Sequence, residues 1–204
     1  IVANPTAAKP ASSVGIKCDE CIRVRIENVW AYGLETGFRA ASTTLSQAID
    51  YVNCEATDGK IGWYITGNTD VIRLISPKAV SNSGSTIYTG YGIEMDTVSN
   101  GCIKINNPNL QNPQARNSLY MVNCTNNSIE VTGGGIFGAE DYGCEISSCT
   151  TQHIKLSNFD IFQAYLDGLY IYTTDGIQLN NVNIRDCGTS GSGVWRGLVV
   201  DTSK

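Results

Sequence analysis

The chain has 204 residues, 42% of them hydrophobic and 16% charged, which allows a sizeable buried core and argues against disorder. Its formal net charge of −5, with no cluster of Lys or Arg, gives no electrostatic footprint for nucleic acid or an anionic membrane. The apolar runs are too short to span a bilayer, and the opening IVANPTAAKPASSVG lacks the charged start and apolar stretch of a signal peptide.

In chain order, one pattern returns about every 25 residues, the mark of a stacked repeat. It reads apolar, x, apolar, x, Asn or a small residue, a variable residue, x, apolar. The tail of the pattern is already present at Val2, Asn4, Pro5 and Ala7. Full copies follow at Val24, Ile26, Asn28 and Ala31, at Ile49, Tyr51, Asn53 and Ala56, and at Ile72, Leu74, Ser76 and Ala79. The series continues at Ile103, Ile105, Asn107 and Leu110, then at Ile129, Val131, Gly133 and Ile136. Ile154, Leu156, Asn158 and Ile161 form the sixth copy, and Ile177, Leu179, Asn181 and Ile184 the seventh.

A second apolar pair precedes each copy, usually after Gly: Ile16 with Cys18, Phe38 with Ala40, Trp63 with Ile65, and Ile93 with Met95. Leu119 with Met121, Cys144 with Ile146, Leu169 with Ile171, and Leu198 with Val200 complete the column. Each period therefore holds three short strands of period two, none able to bury a face alone, so successive periods must stack on their equivalents. This predicts an all-β, right-handed parallel β-helix of about seven coils, the hand following from the preference of parallel crossovers. A β-sandwich with chance Asn turns would space its copies irregularly. Asn suits the bend between the second and third strands because it tolerates the left-handed region, and stacked Asn side chains are expected to form an amide ladder.

The chain reads as a single β-helix domain over 1–204. Because the pattern starts and stops partway through a coil, both ends are expected to be open sheet edges, as in a piece of a longer protein.

The eight cysteines do not suggest a metal site: Cys18 and Cys21 form one C-x-x-C without a partner pair, and His153 is the single histidine. Cys124 and Cys149 fall at equivalent places in successive coils, so a disulfide between them is sterically open, but the favoured reading is reduced, core-filling thiols. No cofactor is expected.

Residues between the inward ones of the first strand must face solvent. One such file reads Lys17, Arg39, Tyr64, Glu94, Tyr120, Glu145, Tyr170 and Val199, and beside it run Asp19, Ala41, Thr66, Asp96, Val122, Ser147, Tyr172 and Asp201. High strand propensity of Tyr would account for this face blandly. Aromatic platforms for sugar rings, interleaved with acids that act on the bond between them, account for it functionally. Loops after the third strand, carrying Tyr88, Tyr91, Arg116, Glu140, Asp141, Tyr165, Asp167, Trp195 and Arg196, are expected to wall the same face.

Glycoside hydrolysis requires two carboxyl groups, roughly 6.5–9.5 Å apart in inverting enzymes. Glu94 and Asp96 on one strand, about 6.8 Å apart at their α-carbons, and Glu94 and Glu145 two coils apart, about 9.6 Å, both qualify. Glu94 and Glu145 are the leading acid and base candidates, followed by Asp96, Asp141 and Asp167. Tyr64, Tyr120, Tyr170, Tyr172 and Trp195, with Arg196 and Arg39, are the candidate sugar contacts. A lyase would instead use a base such as Tyr64, Lys17 or Arg39. Asn68-Thr69-Asp70 matches a polygalacturonase signature only in isolation and is read as a turn.

With its coils, Asn corners and Gly-led first strands, the chain resembles the pectate-lyase-like β-helix superfamily. Irregular coil lengths and Ser/Thr/Asn-rich turns make it most similar to phage tailspikes and capsule depolymerases. That resemblance implies a homotrimer on a virion tail, or failing that a secreted protein, that binds and depolymerises a bacterial surface polysaccharide by hydrolysis or elimination. Alternatives are a non-catalytic carbohydrate-binding or structural spike β-helix and a secreted pectin- or alginate-type lyase.

Overall fold

A computed structural model describes residues 12–44, 48–81, 90–111, 116–188 and 196–201. These residues form a right-handed parallel β-helix of about seven turns. The first sheet stacks Val14–Asp19, Thr36–Ser42, Ile61–Asn68, Tyr91–Ser99, Asn117–Val122, Cys144–Ser147, Leu169–Tyr172 and Leu198–Asp201 in chain order. The second runs through Val24–Glu27, Ala48–Val52, Val71–Ile75, Cys102–Asn106 and Ser128–Thr132, and the third through Trp30–Tyr32, Glu55–Thr57, Lys78–Val80, Asn109–Gln111 and Gly135–Ala139. Two long strands, Thr150–Ala164 and Asp175–Arg185, cross from the second sheet into the third without losing their pairing.

The register is the one the repeat predicts. Ile16, Phe38, Trp63, Ile93, Leu119, Cys144, Leu169 and Leu198 pair in sequence along the first sheet. Val24, Ile49, Ile72, Ile103, Ile129, Ile154 and Ile177 do so along the second. Ala31, Ala56, Ala79, Leu110, Ile136, Ile161 and Ile184 make the third file. These side chains are the core, which in the early coils is aromatic: Phe38 stacks on Trp63 at 5.0 Å and meets Tyr51 edge-on at 5.6 Å. Later coils fill the same volume with Ile, Leu and Met. Leu198 and Val200 face inward by register but are 44% and 57% exposed, because no described rung covers them. The eight cysteines form no disulfide, and Cys54, Cys124, Cys144 and Cys149 are buried in the core.

At the corner between the second and third sheets, Asn28, Asn53, Ser76, Asn107, Gly133, Asn158 and Asn181 all have φ between 49° and 68°. The left-handed bend keeps the backbone paired through the turn. Asn28 N–H donates to the Val52 carbonyl of the next coil, Asn53 to Ile75, Ser76 to Asn106, and Asn107 to Thr132. The side chains depart from expectation. Instead of a continuous amide ladder there are separate pairs among the described residues, Asn53 Nδ2 donating to Asn28 Oδ1 at 3.5 Å and Asn181 Nδ2 to Asn158 Oδ1 at 2.9 Å. Ser76 and Gly133 break the ladder, since neither carries an amide.

The tail copy at Val2, Asn4, Pro5 and Ala7 lies outside the described residues, as do Tyr88 and Trp195.

The corner makes a direct stability prediction. Asn53→Ala places a β-carbon residue with no local polar compensation at φ 49° and should cost about 1–2 kcal/mol, whereas Asn53→Gly should cost less. Urea unfolding of the two variants measures the difference, and equal losses would remove the left-handed bend as the reason for Asn.

Candidate functional site

The outward side of the first sheet carries the predicted files in the predicted order. Arg39 pairs with Tyr64, Tyr64 with Glu94, Glu94 with Tyr120, Tyr120 with Glu145, and Glu145 with Tyr170. Thr66 pairs with Asp96, Asp96 with Val122, and Ser147 with Tyr172 in the neighbouring file. The parallel ladder therefore holds two glutamates on either side of one tyrosine, with α-carbons about 9.6 Å apart.

A further file lies two residues before each inward position, where the alternation breaks; Tyr91 and Tyr142 of this file lie on the face, while Asn117 and Asp167 are buried. Tyr91 pairs with Asn117 and belongs to the strand itself rather than to a loop. Tyr142, Asp167 and Arg196 hold the equivalent places in the next coils, two residues before Cys144, Leu169 and Leu198. Tyr91 stacks on Tyr120 with ring centres 4.6 Å apart, and Tyr142 on Tyr170 at 4.8 Å. Tyr170 lies nearly parallel to Tyr172, 6.4 Å away. Each platform is thus a stacked pair from two files, which a single exposed ring could not hold as rigidly.

The two glutamates have different surroundings. Burial, then the nearby charge of Asp96, pushes the Glu94 carboxyl up to about 7, with Lys60 acting weakly against it. Burial also raises Glu145, but hydrogen bonds from Asn117 and Ser147 and the charge of Arg116 oppose it. Asn117 Nδ2 donates to Glu145 Oε2 at 2.6 Å. Both carboxyls are thus held above their ordinary range, with the rise at Glu145 opposed by hydrogen bonds and a nearby cation.

Other expected acids are placed differently. Asp141 pairs with Arg116, 3.4 Å away, at the edge of the face. Asp167, offered above as a second carboxyl, is 4% exposed, and its Oδ1 accepts a 2.5 Å hydrogen bond from the Arg196 backbone. It braces the following turn and is withdrawn from solvent. Asp96 stays on the face and accepts from Thr97 Oγ1 at 2.8 Å. Lys17 and Arg39 both turn to Asp19, at 3.0 and 3.3 Å. Sequence reasoning missed Asn117 and Tyr142. Period-two alternation gives both positions, two residues before the inward Leu119 and Cys144, the inward parity, and the break in alternation at the intervening Ser118 and Gly143 hid them.

The Glu94–Glu145 region lies on the outer side of the first sheet. Toward the N-terminal end the same face continues into a cleft of about 300 Å³ lined by Asp19, Glu20, Arg39, Ser42 and Thr66. An elongated face of successive rungs suits a polymer better than a small enclosed ligand. Among the described residues no group of His, Cys, Asp and Glu is arranged to hold a metal ion.

Compared with protein-family models, curated proteins and solved structures, the chain matches none of them.

The raised Glu94 carboxyl has a consequence for stability. Its folded value, about 7, lies above its ordinary value of 4.5, so the folded state holds the proton more tightly than the unfolded state. Stability contributed by this group is present below about pH 4.5 and is lost as pH rises toward 7. The urea midpoint of the wild-type chain should therefore fall relative to Glu94→Gln across that window. Parallel pH profiles for the two chains would show that Glu94 carries no such burden.

Proposed function

We propose that the chain binds a bacterial surface polysaccharide along the first sheet and cleaves it by endo-acting, inverting hydrolysis, with Glu94 as general acid and Glu145 as general base. The observation that carries this reading is the rung order Glu94, Tyr120, Glu145: a stacked aromatic platform with one carboxyl on each side. A sugar ring laid on Tyr120 and Tyr91 has its glycosidic oxygen toward one carboxyl and its opposite face toward the other. Glu94 gives its proton to the leaving oxygen as the bond to the anomeric carbon breaks. Glu145 takes a proton from the water that attacks that carbon from the other side.

Hydrolysis is favoured over elimination by the state of the alternative bases. Burial raises the Tyr64 and Tyr91 hydroxyls and pushes Tyr120 up to about 12, so a tyrosinate base is costly near neutrality. Lys17 and Arg39 are engaged with Asp19. The assembly in this reading, a homotrimer on a phage tail, or a secreted protein in its place, rests on the resemblance to tailspike and depolymerase β-helices.

A panel of capsular and O-antigen polysaccharides tests the reading. The expected result is release of oligosaccharides with inverted anomeric configuration and no new ultraviolet absorbance from a double bond. Glu94→Gln and Glu145→Gln should each lower the rate by about two to four orders of magnitude while leaving the fold intact. Activity of the wild-type chain should decline as pH rises through about 7, where Glu94 loses its proton. Retention on a polysaccharide without shortening would make the chain a binding module, and full activity in both glutamine variants would displace the chemistry from these residues.

A further inference from the structure

The corner between the second and third sheets, which carries Asn or Ser in every other copy, has Gly133, Gly134 and Gly135 in the fifth. Asn107 precedes Gly133 in the corner file and Asn158 follows it, so the amide ladder lacks one rung and the two amides stand two coil spacings apart, about 9.6 Å. A β-carbon on Gly133 would meet nothing nearer than Asn107 Oδ1, at 3.8 Å. Space, not crowding, lies above it. Gly134 does need to be Gly: its φ is 66° and a β-carbon would stand 2.1 Å from the Pro108 carbonyl oxygen.

The gap opens into a cleft of about 340 Å³ lined by Asn107, Asn109, Phe137, Asn158 and Asp160. That volume is at the lower end of the roughly 300–1,000 Å³ used by small-ligand sites. Phe137 is 40% exposed. One coil on, Phe162 in the same file lies under the Arg185 guanidinium, 4.9 Å from its ring centre, whereas Phe137 has no such cover among the described residues.

The polar groups are half used. Asn109 Oδ1 accepts from Gln111, Asn158 Oδ1 from Asn181, and Asp160 Oδ1 from Asn183, at 2.9, 2.9 and 3.0 Å. These bonds hold the side chains while leaving the Asn109 and Asn158 NH₂ groups and the second Asp160 oxygen without partners among the described residues. The Asn107 amide is likewise unpartnered there. Amide donors and acceptors beside a carboxylate oxygen match adjacent hydroxyls, each of which both donates and accepts. An aromatic face takes the C–H side of a pyranose, whose slightly positive hydrogens meet the negative face of the ring.

We infer that this corner is a second saccharide-binding site, taking an uncharged pyranose unit and holding it without cleavage. Among the described residues Asp160 is the one ionisable group lining the cleft, so an acidic sugar would meet like charge there with no lining cation to offset it, and hydrolysis would lack its second carboxyl. The site lies on a different corner from the first-sheet face and stands or falls separately from it. On a cleaving surface it would keep the polymer attached while the other face works, by raising its local concentration.

The test is a side-chain amide NMR titration of the Glu94→Gln/Glu145→Gln chain, so that turnover plays no part. The probes are the methyl glycosides of glucose, galactose, mannose and N-acetylglucosamine. Saturable shifts at Asn107, Asn109 and Asn158 are expected for at least one sugar. Phe137→Ala should weaken that binding about tenfold or more. Gly133→Asn should abolish it by restoring the missing rung, and its backbone is compatible, since Asn107 already adopts φ 51° at the preceding corner. No saturable shift at these amides with any of the four sugars, or binding unchanged in both variants, would overturn the site. Shifts confined to the Tyr91 and Tyr120 face would overturn it too, while supporting the first-sheet reading.

Discussion

Parallel pairing between successive coils is the constraint on which the rest of this protein depends. Each coil exchanges backbone hydrogen bonds with the coils before and after it at a fixed spacing of about 4.8 Å, and this continues through the bends as well as the strands. A coil that bent one residue early would lose pairing on both sides and turn its apolar residues outward. The chain therefore bends at the same place in every turn, and the residue at the bend must accept the left-handed region. Length variation is greatest in the connections between the third strand of one coil and the first of the next, with a smaller variation at the bend between the first and second strands.

The same pairing makes a row of surface residues into an ordered array. Glu94, Tyr120 and Glu145 come from three separate parts of the sequence, and the ladder sets their order and separation without any loop having to be positioned. Packing of tyrosines above and below a carboxylate removes its water, which is why Glu94 holds its proton to about pH 7. Asn117, arriving from the adjacent file, gives Glu145 the hydrogen bond that Glu94 lacks. Burial thus raises both carboxyls, and of the two only Glu145 has hydrogen bonds, from Asn117 and Ser147, that oppose the rise.

The glycines of the fifth corner illustrate the converse. A repeat specifies a side chain at each rung, so a position that omits it makes a cavity of defined size in an otherwise continuous surface. Between Asn107 and Asn158 the omission coincides with the exposed ring of Phe137. That coincidence, more than the glycines alone, is what the proposed saccharide site rests on.

The fold was legible in the sequence because its signals are local and repeated: period-two apolar pairs, Asn at one bend, and a spacing that brings each copy onto the last. All three inward files, the outward order Tyr64, Glu94, Tyr120, Glu145 and Tyr170, and the left-handed corner could be read this way. The bend after the first sheet could not, although it obeys the same rule. It is made by Glu20, Asn123, Ser148 and Thr173, all with φ between 46° and 54°, and no common residue type betrays it because the backbone pairing there, not the side chain, holds the turn. Side-chain partnership was equally hidden. That Asp167 braces a turn, that Asp141 is held by Arg116, and that Asn117 reaches Glu145 follow from distances across neighbouring coils. Sequence alone determined which residues share a rung and which way they face, since both depend on periodicity. Tertiary structure decided which are available for chemistry, since burial and hydrogen bonding depend on what the adjacent coils place beside them.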